Sequence, residues 1–124
     1  MSAPASSQKR IVLIEDDDSV RRSLTLILRL RGYLVDAFRS GVEYLAQVVR
    51  TDADIFLIDY KMPKLDGLEL LERLRADGIK APAFLITGFH APGLSDKATR
   101  VGFTAVLEKP ISGQQIADHM EDFT

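Results

Sequence analysis

The stretch Ile55–Asp59, with the sequence IFLID, places a carboxylate directly after four consecutive apolar residues. The run shows no polar alternation, which is typical of a strand buried on both faces of a parallel sheet. Residues 11–14, with the sequence IVLI, repeat the pattern and run straight into four acidic residues, 15–18. Because parallel strands of an open α/β sheet end at one edge, both acidic segments are predicted to meet at the edge where such folds bind ligands.

The composition is that of one ordinary globular domain, with 124 residues of which 46% are hydrophobic and 27% charged. A net charge of −2 and scattered basic residues argue against direct binding of nucleic acid. The chain has no cysteine, which excludes disulfides and thiolate chemistry. Residues 1–9 are expected to be a disordered leader, followed by a single domain over residues 10–124. The sequence has neither a signal-peptide core nor a membrane-length apolar run, which predicts no membrane association and a cytoplasmic location.

Hydrophobic spacing predicts five strands alternating with five helices. The strands are predicted over residues 10–14, 33–38, 55–58, 82–86 and 103–107. The helices are predicted over residues 19–31 and 41–50, from an Asp66 cap to near Gly78, around residues 94–101, and over residues 111–123 with Ser112 as a cap. The helix over residues 41–50 is expected to bury Val42, Leu45, Ala46 and Val49. Strict alternation with short connections indicates an α/β fold with a doubly wound parallel sheet.

Four short motifs follow the predicted strands in order. They are Glu15-Asp16, then Asp59 with Met62-Pro63 and Asp66-Gly67 behind it, then Thr87-Gly88, and finally Lys109-Pro110. Each motif alone is common, but the joint placement of all four at successive strand ends is specific. In this placement, residues 10–123 resemble the receiver domain of two-component response regulators. The resemblance implies a flavodoxin-like fold of five strands and five helices with strand order 2-1-3-4-5. It also implies that the Lys109-Pro110 peptide bond is cis.

The acidic residues of these motifs predict a metal site. Three converging carboxylates, those of Glu15, Asp16 and Asp59, repel one another and raise their pKa values unless a cation compensates. Mg²⁺ fits such a site because it prefers oxygen ligands and keeps waters that a phosphoryl oxygen can replace. The resemblance implies that Asp16, Asp59 and the backbone carbonyl of Lys61 are direct ligands and that Glu15 acts through water.

The resemblance implies that Asp59 is the phosphoacceptor, taking a phosphoryl group from a histidine kinase or a histidine phosphotransfer protein. Thr87 and Lys109 are implied to neutralise charge on the phosphoryl oxygens, and Lys109 to pair with Asp59 beforehand. Lys61 lies two residues beyond Asp59, and Phe89 lies two residues beyond Thr87. Both are expected to flank the phosphoryl group and slow its hydrolysis. The chain would catalyse only its own phosphorylation and dephosphorylation, so it is not expected to be an enzyme acting on other substrates.

The resemblance also predicts how a phosphoryl group would be sensed. Drawing the Thr87 hydroxyl towards it is expected to move residues 88–93 and alter the face formed by the fourth helix, fifth strand and last helix. Many relatives have an aromatic residue three positions before the lysine, where this chain has Val106. Either Val106 is simply packed, the favoured interpretation, or Phe103 or Phe89 takes the aromatic role. A homodimer formed on phosphorylation through the last helix and fifth strand is also implied.

Several neighbouring side chains are assigned structural roles. Asp17 and Asp18 precede a predicted helix, where capping and dipole-favourable acids are common, so they are not taken as ligands. His90 and His119 are expected at the surface, without the spacing of a metal site.

Two other functions compete with this interpretation. Aspartyl-nucleophile phosphatases carry a second acid two residues after the nucleophile, where this chain has Lys61, and no P-loop motif is present. The stronger alternative is a phosphorylation-independent, receiver-like binding module, whose usual mark is loss of Asp59, Lys109 or an acidic partner; none is lost. No output segment follows Thr124, so the chain is expected to be a stand-alone regulator or the receiver part of a longer one.

Overall fold

A five-stranded parallel sheet organises the computed structural model, which describes residues 8–89 and 91–121. The strands are β1 (Arg10–Ile14), β2 (Leu34–Phe38), β3 (Ile55–Asp59), β4 (Ala83–Thr87) and β5 (Ala105–Glu108). Their order across the sheet is β2-β1-β3-β4-β5, which confirms the predicted doubly wound, flavodoxin-like topology. Strands β2 and β5 are therefore the edges, and β1, β3 and β4 form the interior.

Helices cover both faces of the sheet. They are α1 (Asp18–Leu30), α2 (Gly41–Leu45), α3 (Gly67–Ala76), α4 (Leu94–Val101) and α5 (Gly113–Met120). One core cluster packs α1 and α5 against the sheet, and the other packs α2, α3 and α4 against the opposite face. All five residues of β3 and of β4 are buried, which explains why their sequences lack polar alternation.

The predicted helix caps are present. The Asp17 carboxylate accepts a hydrogen bond from the Val20 N–H at the start of α1. Asp66 and Ser112 each form a reciprocal capping box with the residue three positions on, at the starts of α3 and α5. Helix α4 differs, since it follows Gly93 with a φ of 77° and has no side-chain cap. Helix α4 therefore lacks the side-chain cap that holds the starts of α1, α3 and α5.

The prediction for α2 was wrong, because the helix ends at Leu45 and does not continue to residue 50. Val42 and Val49, expected on its buried face, are 42% and 83% exposed. The buried residues of the helix are Gly41 and Tyr44, and the Tyr44 ring lies edge-on to Phe56, 5.9 Å between centroids. Its hydroxyl donates to the Thr51 carbonyl oxygen at 2.8 Å, which holds the following segment in a loop.

Other boundaries agree with the prediction within a few residues. Strand β5 begins at Ala105 rather than at residue 103, because the Phe103 N–H donates to the Ala98 carbonyl oxygen and closes the end of α4. Helix α5 begins after its Ser112 cap rather than at Ile111, which is buried ahead of the helix.

Some predictions concern residues outside the described ranges. They are most of the leader (residues 1–7), His90, and the end of the last helix at residue 123. Of the rest of the leader, Lys9 accepts a hydrogen bond through its carbonyl oxygen from the Leu34 N–H at 2.9 Å. His119 is exposed on α5, as expected. None of the described helices combines the length and the apolar character needed to cross a membrane.

Candidate functional site

The carboxyl ends of β1 and β3 bring three acidic side chains together. Asp59 is the last residue of β3, while Glu15 and Asp16 directly follow β1. Carboxylate oxygens of the three residues lie within 4.8 Å of one another, an arrangement that could hold a metal ion. Glu15 and Asp59 are 0% and 3% exposed, whereas Asp16 is exposed. The predicted acidic cluster therefore forms, with one side open to solvent.

Lys109 supplies the positive charge next to these acids. Its Nζ lies 2.7 Å from Glu15 Oε1 and 3.2 Å from Asp59 Oδ1. The Lys109 N–H donates to the Thr87 carbonyl oxygen at 2.8 Å, which continues the β4–β5 pairing to the site, and the following bond to Pro110 is cis. The predicted Lys109–Asp59 pair is present, but the shorter contact is with Glu15.

The buried Glu15 carboxylate is only partly satisfied. Its Oε2 accepts from the Asp17 N–H at 3.0 Å. Its Oε1 receives no hydrogen bond of acceptable geometry from the described residues, although the Lys109 ammonium lies 2.7 Å away. The contact is thus an ion pair rather than a well-directed hydrogen bond. The Lys109 ammonium therefore balances this oxygen, and an additional cation would bind the other carboxylate oxygens of the cluster.

The electrostatics of the cluster favour such a cation. Burial raises the pKa of Asp59 from 3.8 to about 8, with further increases from Asp16 and Glu15 and an opposing effect of Lys109. For Lys109, burial lowers the pKa, but the contacts with Glu15 and Asp59 outweigh burial and the net shift is upward. Lys109 therefore stays charged, and its single charge does not compensate all three acids.

Thr87 is the last residue of the neighbouring strand β4. Asp59 pairs with Ile86 in the sheet, so Thr87 lies one residue further along β4 and is 2% exposed. Its hydroxyl donates to the Phe89 carbonyl oxygen at 2.8 Å and accepts from the Phe89 N–H at 3.1 Å. The hydroxyl is thus engaged within its own loop.

Lys61 and Phe89 meet beside the site. The Lys61 Nζ lies 5.7 Å from the centroid of the Phe89 ring, within the range of a cation–π contact. The Phe89 side chain is otherwise well exposed, at 62%. The two residues predicted to flank the phosphoryl group are therefore in contact with each other.

Val106 packs against the core cluster under α3 and α4 and is partly buried, in line with the favoured interpretation. Phe103 is 4% exposed within the same cluster, and so belongs to the core.

Two residues near the site were not recognised from the sequence. The sequence places Gly67 only in the Asp66-Gly67 motif, yet a Cβ atom there would lie 2.5 Å from the Asp59 carbonyl oxygen and 2.8 Å from Leu85 Cδ1. Arg21 has no predicted role in the site, yet its Nη1 donates to the Glu15 carbonyl oxygen at 3.0 Å. The Asp-Gly step after Asp59 was the available signal for the first, and no local pattern marks the second.

The family model described as the response regulator receiver domain matches residues 11–121. The chain belongs to this family. The response regulator MprA of Mycobacterium leprae is 34% identical over 107 residues, covering 86% of this chain and 47% of that protein. MprA of Mycobacterium ulcerans is 32% identical over 111 residues, covering 90% and 48%. This receiver domain thus spans about half the length of the curated relatives it matches.

Solved receiver domains share the fold. A CheY-like receiver domain protein from Methanospirillum hungatei JF-1 superposes with a TM-score of 0.85 at 27% identity, covering 94% of this chain and 93% of that one. The chemotaxis protein CheY4 of Vibrio cholerae superposes with a TM-score of 0.86 at 22% identity, covering 95% and 100%. The second likeness shows the fold alone.

Proposed function

We propose that this receiver domain accepts a phosphoryl group on Asp59 from a histidine kinase or a histidine phosphotransfer protein. The observation that carries the proposal is Lys109, whose Nζ lies 2.7 Å from Glu15 and 3.2 Å from Asp59 in a buried acidic cluster. Partly compensated buried charges destabilise a fold, and they occur where chemistry requires them. Their position at the carboxyl ends of parallel strands supports the same function.

The reaction needs only a positioned nucleophile and charge neutralisation. An oxygen of Asp59 attacks the phosphorus of a phosphohistidine, and the new O–P bond forms as the P–N bond breaks. The imidazole nitrogen keeps the electron pair of that bond and leaves, and Asp59 becomes an aspartyl phosphate. The Lys109 ammonium, and the Thr87 hydroxyl once it leaves Phe89, stabilise the phosphoryl oxygens. The domain acts only on itself and is not an enzyme for other substrates.

Mg²⁺ is the cation that the donor set suits best. All candidate ligands are oxygens, from Asp16, Asp59, the Lys61 backbone carbonyl, and Glu15 through water. Exposed Asp16 leaves a side on which a hydrated ion keeps its waters, as Mg²⁺ does. When bound, the ion would supply positive charge that favours ionised Asp59 and neutralises phosphoryl oxygens. The three clustered carboxylates, which face the single positive charge of Lys109, support this assignment.

The switch begins at the Thr87 hydroxyl, which donates to the Phe89 carbonyl oxygen at 2.8 Å. A phosphoryl oxygen on Asp59 is a stronger acceptor than a carbonyl and competes for this hydrogen. Loss of that bond frees the loop that leads into α4, and the α4–β5–α5 face changes. We propose that this face signals to a partner or an attached output domain in the cytoplasm, and that phosphorylation promotes a homodimer through α5 and β5.

The test is intact-mass analysis after incubation with Mg²⁺ and acetyl phosphate. The expected result is a single phosphoryl adduct that requires Mg²⁺ and is absent from Asp59→Asn. Asp52→Asn, which removes a different acid, is the matched control and should still be phosphorylated. Two negative results together would reject the proposal in favour of a phosphorylation-independent binding module. They are no phosphoryl adduct on Asp59 and no change in the amide NMR spectrum on adding beryllofluoride.

A further inference from the structure

Strand β2 is an edge of the sheet, and no other strand of the described residues pairs with its outer side. Leu34 donates its N–H to the Lys9 carbonyl oxygen in the β1 direction, at 2.9 Å. Because alternate residues of a parallel strand bond to the same neighbour, Val35 and Ala37 direct their N–H and C=O groups away from β1. These two residues therefore present main-chain donors and acceptors on the free side of the sheet.

The two positions differ in how far they are covered. Arg29 on α1 donates through Nη2 to the Val35 carbonyl oxygen at 3.3 Å, which occupies one of the outward groups. Ala37 is exposed, and the described part of the chain offers its backbone no comparable contact. Within the described residues, the outward carbonyl of Val35 is therefore hydrogen-bonded, whereas the outward backbone groups of Ala37 are available.

A row of basic side chains on α1 lines this part of the edge. Arg21 and Arg29, with Thr25 between them, follow one another at four-residue spacing and so lie along one side of the helix. Together with the neighbouring Arg22, these two arginines form the arginine row. They enclose a groove of about 290 Å³ whose opposite wall includes Ala37. Within the described ranges, neither Arg22 nor Arg29 forms an ion pair with an acidic side chain. The groove therefore has free positive charge on a chain whose net charge is −2.

The geometry selects one kind of occupant. An extended peptide can bond to the outward N–H and C=O of Ala37, whereas nucleic acid would use only the arginines. Val35 packs in the core cluster on the α1 side, so Ala37 faces that side as well. Every second side chain of a strand added beside β2 would then face the arginine row.

We propose that the outer edge of β2 and the arginine row of α1 form a docking site for an extended partner segment with acidic residues at alternate positions. The segment adds to the sheet as a sixth strand beside β2, and its carboxylates pair with Arg22 and Arg29. Such docking does not require phosphorylation of Asp59. It uses a surface separate from the α4–β5–α5 face.

The test uses a fluorescein-labelled peptide of alternating Glu and Thr residues and the same peptide with Gln in place of Glu. Fluorescence anisotropy should give a dissociation constant below about 1 mM for the Glu peptide only. Amide spectra of the ¹⁵N-labelled protein should shift at Ala37 and its neighbours in β2.

Two pairs of variants separate main-chain recognition from charge recognition. Ala37→Pro removes the outward N–H at a position where an edge strand tolerates proline, and Ala37→Val keeps it. We expect at least tenfold weaker binding with proline and unchanged binding with valine. Arg22→Glu should weaken binding at least tenfold with the fold intact by circular dichroism, while Arg73→Glu on α3 should not change it.

Three results would overturn the proposal. The first is no binding of the Glu peptide at about 1 mM. The second is an unchanged dissociation constant when the Gln peptide replaces the Glu peptide, or when Ala37→Pro replaces the unmodified protein. The third is tighter binding of a single-stranded oligothymidylate than of the peptide at the same site. Self-association of Arg22→Glu without peptide binding by the unmodified protein would show that the arginines only protect the edge.

Discussion

Helices α3 and α4 follow neighbouring strands but are held very differently. Helix α3 starts with the Asp66–Glu69 capping box and buries Gly67, Leu70, Leu71 and Leu74. Helix α4 starts after Gly93 without a side-chain cap and buries only Leu94 and Ala98. One helix is anchored at its start and along its length, and the other is not.

The candidate site joins these two regions. Asp59 leads into the anchored helix, while Thr87 leads into the weakly held one, where its hydroxyl bonds to Phe89. Segments with few buried contacts and weak caps open at the lowest free energy. If Asp59 is phosphorylated as proposed, the weakly held α4 region is therefore the part of the molecule expected to move.

The largest expected effect comes from filling the tight contact between the start of α3 and β3. Gly67→Ala would place a Cβ atom 2.5 Å from the Asp59 carbonyl oxygen. We expect the free energy of unfolding to fall by about 2–3 kcal/mol, as for overpacked cores, measured by urea denaturation. Gly88→Ala is the matched control on the other loop, because its nearest atom would be Lys109 Cδ at 3.9 Å. Equal losses for the two variants would remove the distinction between the regions.

Replacing the Asp59 carboxylate with a neutral side chain should raise the free energy of unfolding. Its pKa is raised from 3.8 to about 8, so the folded state holds the proton more tightly than the unfolded chain. The resulting stability is fully present below the ordinary pKa and is lost as pH rises towards about 8. We expect Asp59→Asn to raise the free energy of unfolding near pH 8 by about 1–2 kcal/mol without Mg²⁺. Urea denaturation across pH 5 to about 8.5 measures the difference.

The same series checks the role of the cation. Adding Mg²⁺ should stabilise the unmodified protein and leave Asp59→Asn much less affected, because ligand binding adds to the stability of the folded state. A pH dependence that is unchanged in Asp59→Asn would contradict the assignment of the raised pKa to this carboxylate.

Smaller losses of stability are expected from removing an acidic residue at the start of α3 or of α4. Asp66→Ala removes the α3 capping box and should lower the free energy of unfolding by about 1 kcal/mol. Asp96→Ala, in the first turn of α4, should cost about 0.3 kcal/mol, because it removes only a dipole contact. Thermal unfolding of the two variants measures this contrast, and a larger loss for Asp96→Ala would reverse it.

A further small change in stability is expected at the contact between Lys61 and Phe89. Lys61→Ala and Phe89→Ala break an exposed cation–π contact and should lower the free energy of unfolding by about 0.5 kcal/mol, the lower end for such contacts. Both should shorten the lifetime of the aspartyl phosphate, because water reaches the phosphorus more easily. Decay of the phosphoryl adduct, followed by mass spectrometry, measures this, with Lys97→Ala as the control. Unchanged lifetimes would show that the pair does not shield the site.

The features predicted from sequence depend on local chemistry. Unbroken apolar runs identify interior strands, and the acids after β1 and β3 meet because parallel strands share an edge. The caps at Asp17, Asp66 and Ser112 follow from residue types just ahead of periodic segments.

The features that were missed depend on contacts between distant residues. Helix α2 ends early because Tyr44 packs against Phe56 and bonds to Thr51, and no local signal encodes either contact. The closer approach of Lys109 to Glu15 than to Asp59 is set by the relative positions of three strand ends. Sequence spacing places such groups at one edge but does not give their distances.

The position of Lys109 has a consequence for protein design. The residue follows β5 and contacts carboxylates that end β3 and follow β1, so one lysine reaches across the ends of four adjacent strands of the sheet. Transplanting the loop around Asp59 to another α/β scaffold would move the carboxylate without its counter-charge. A functional graft would need the ends of β1, β3, β4 and β5 as one block, with their order preserved.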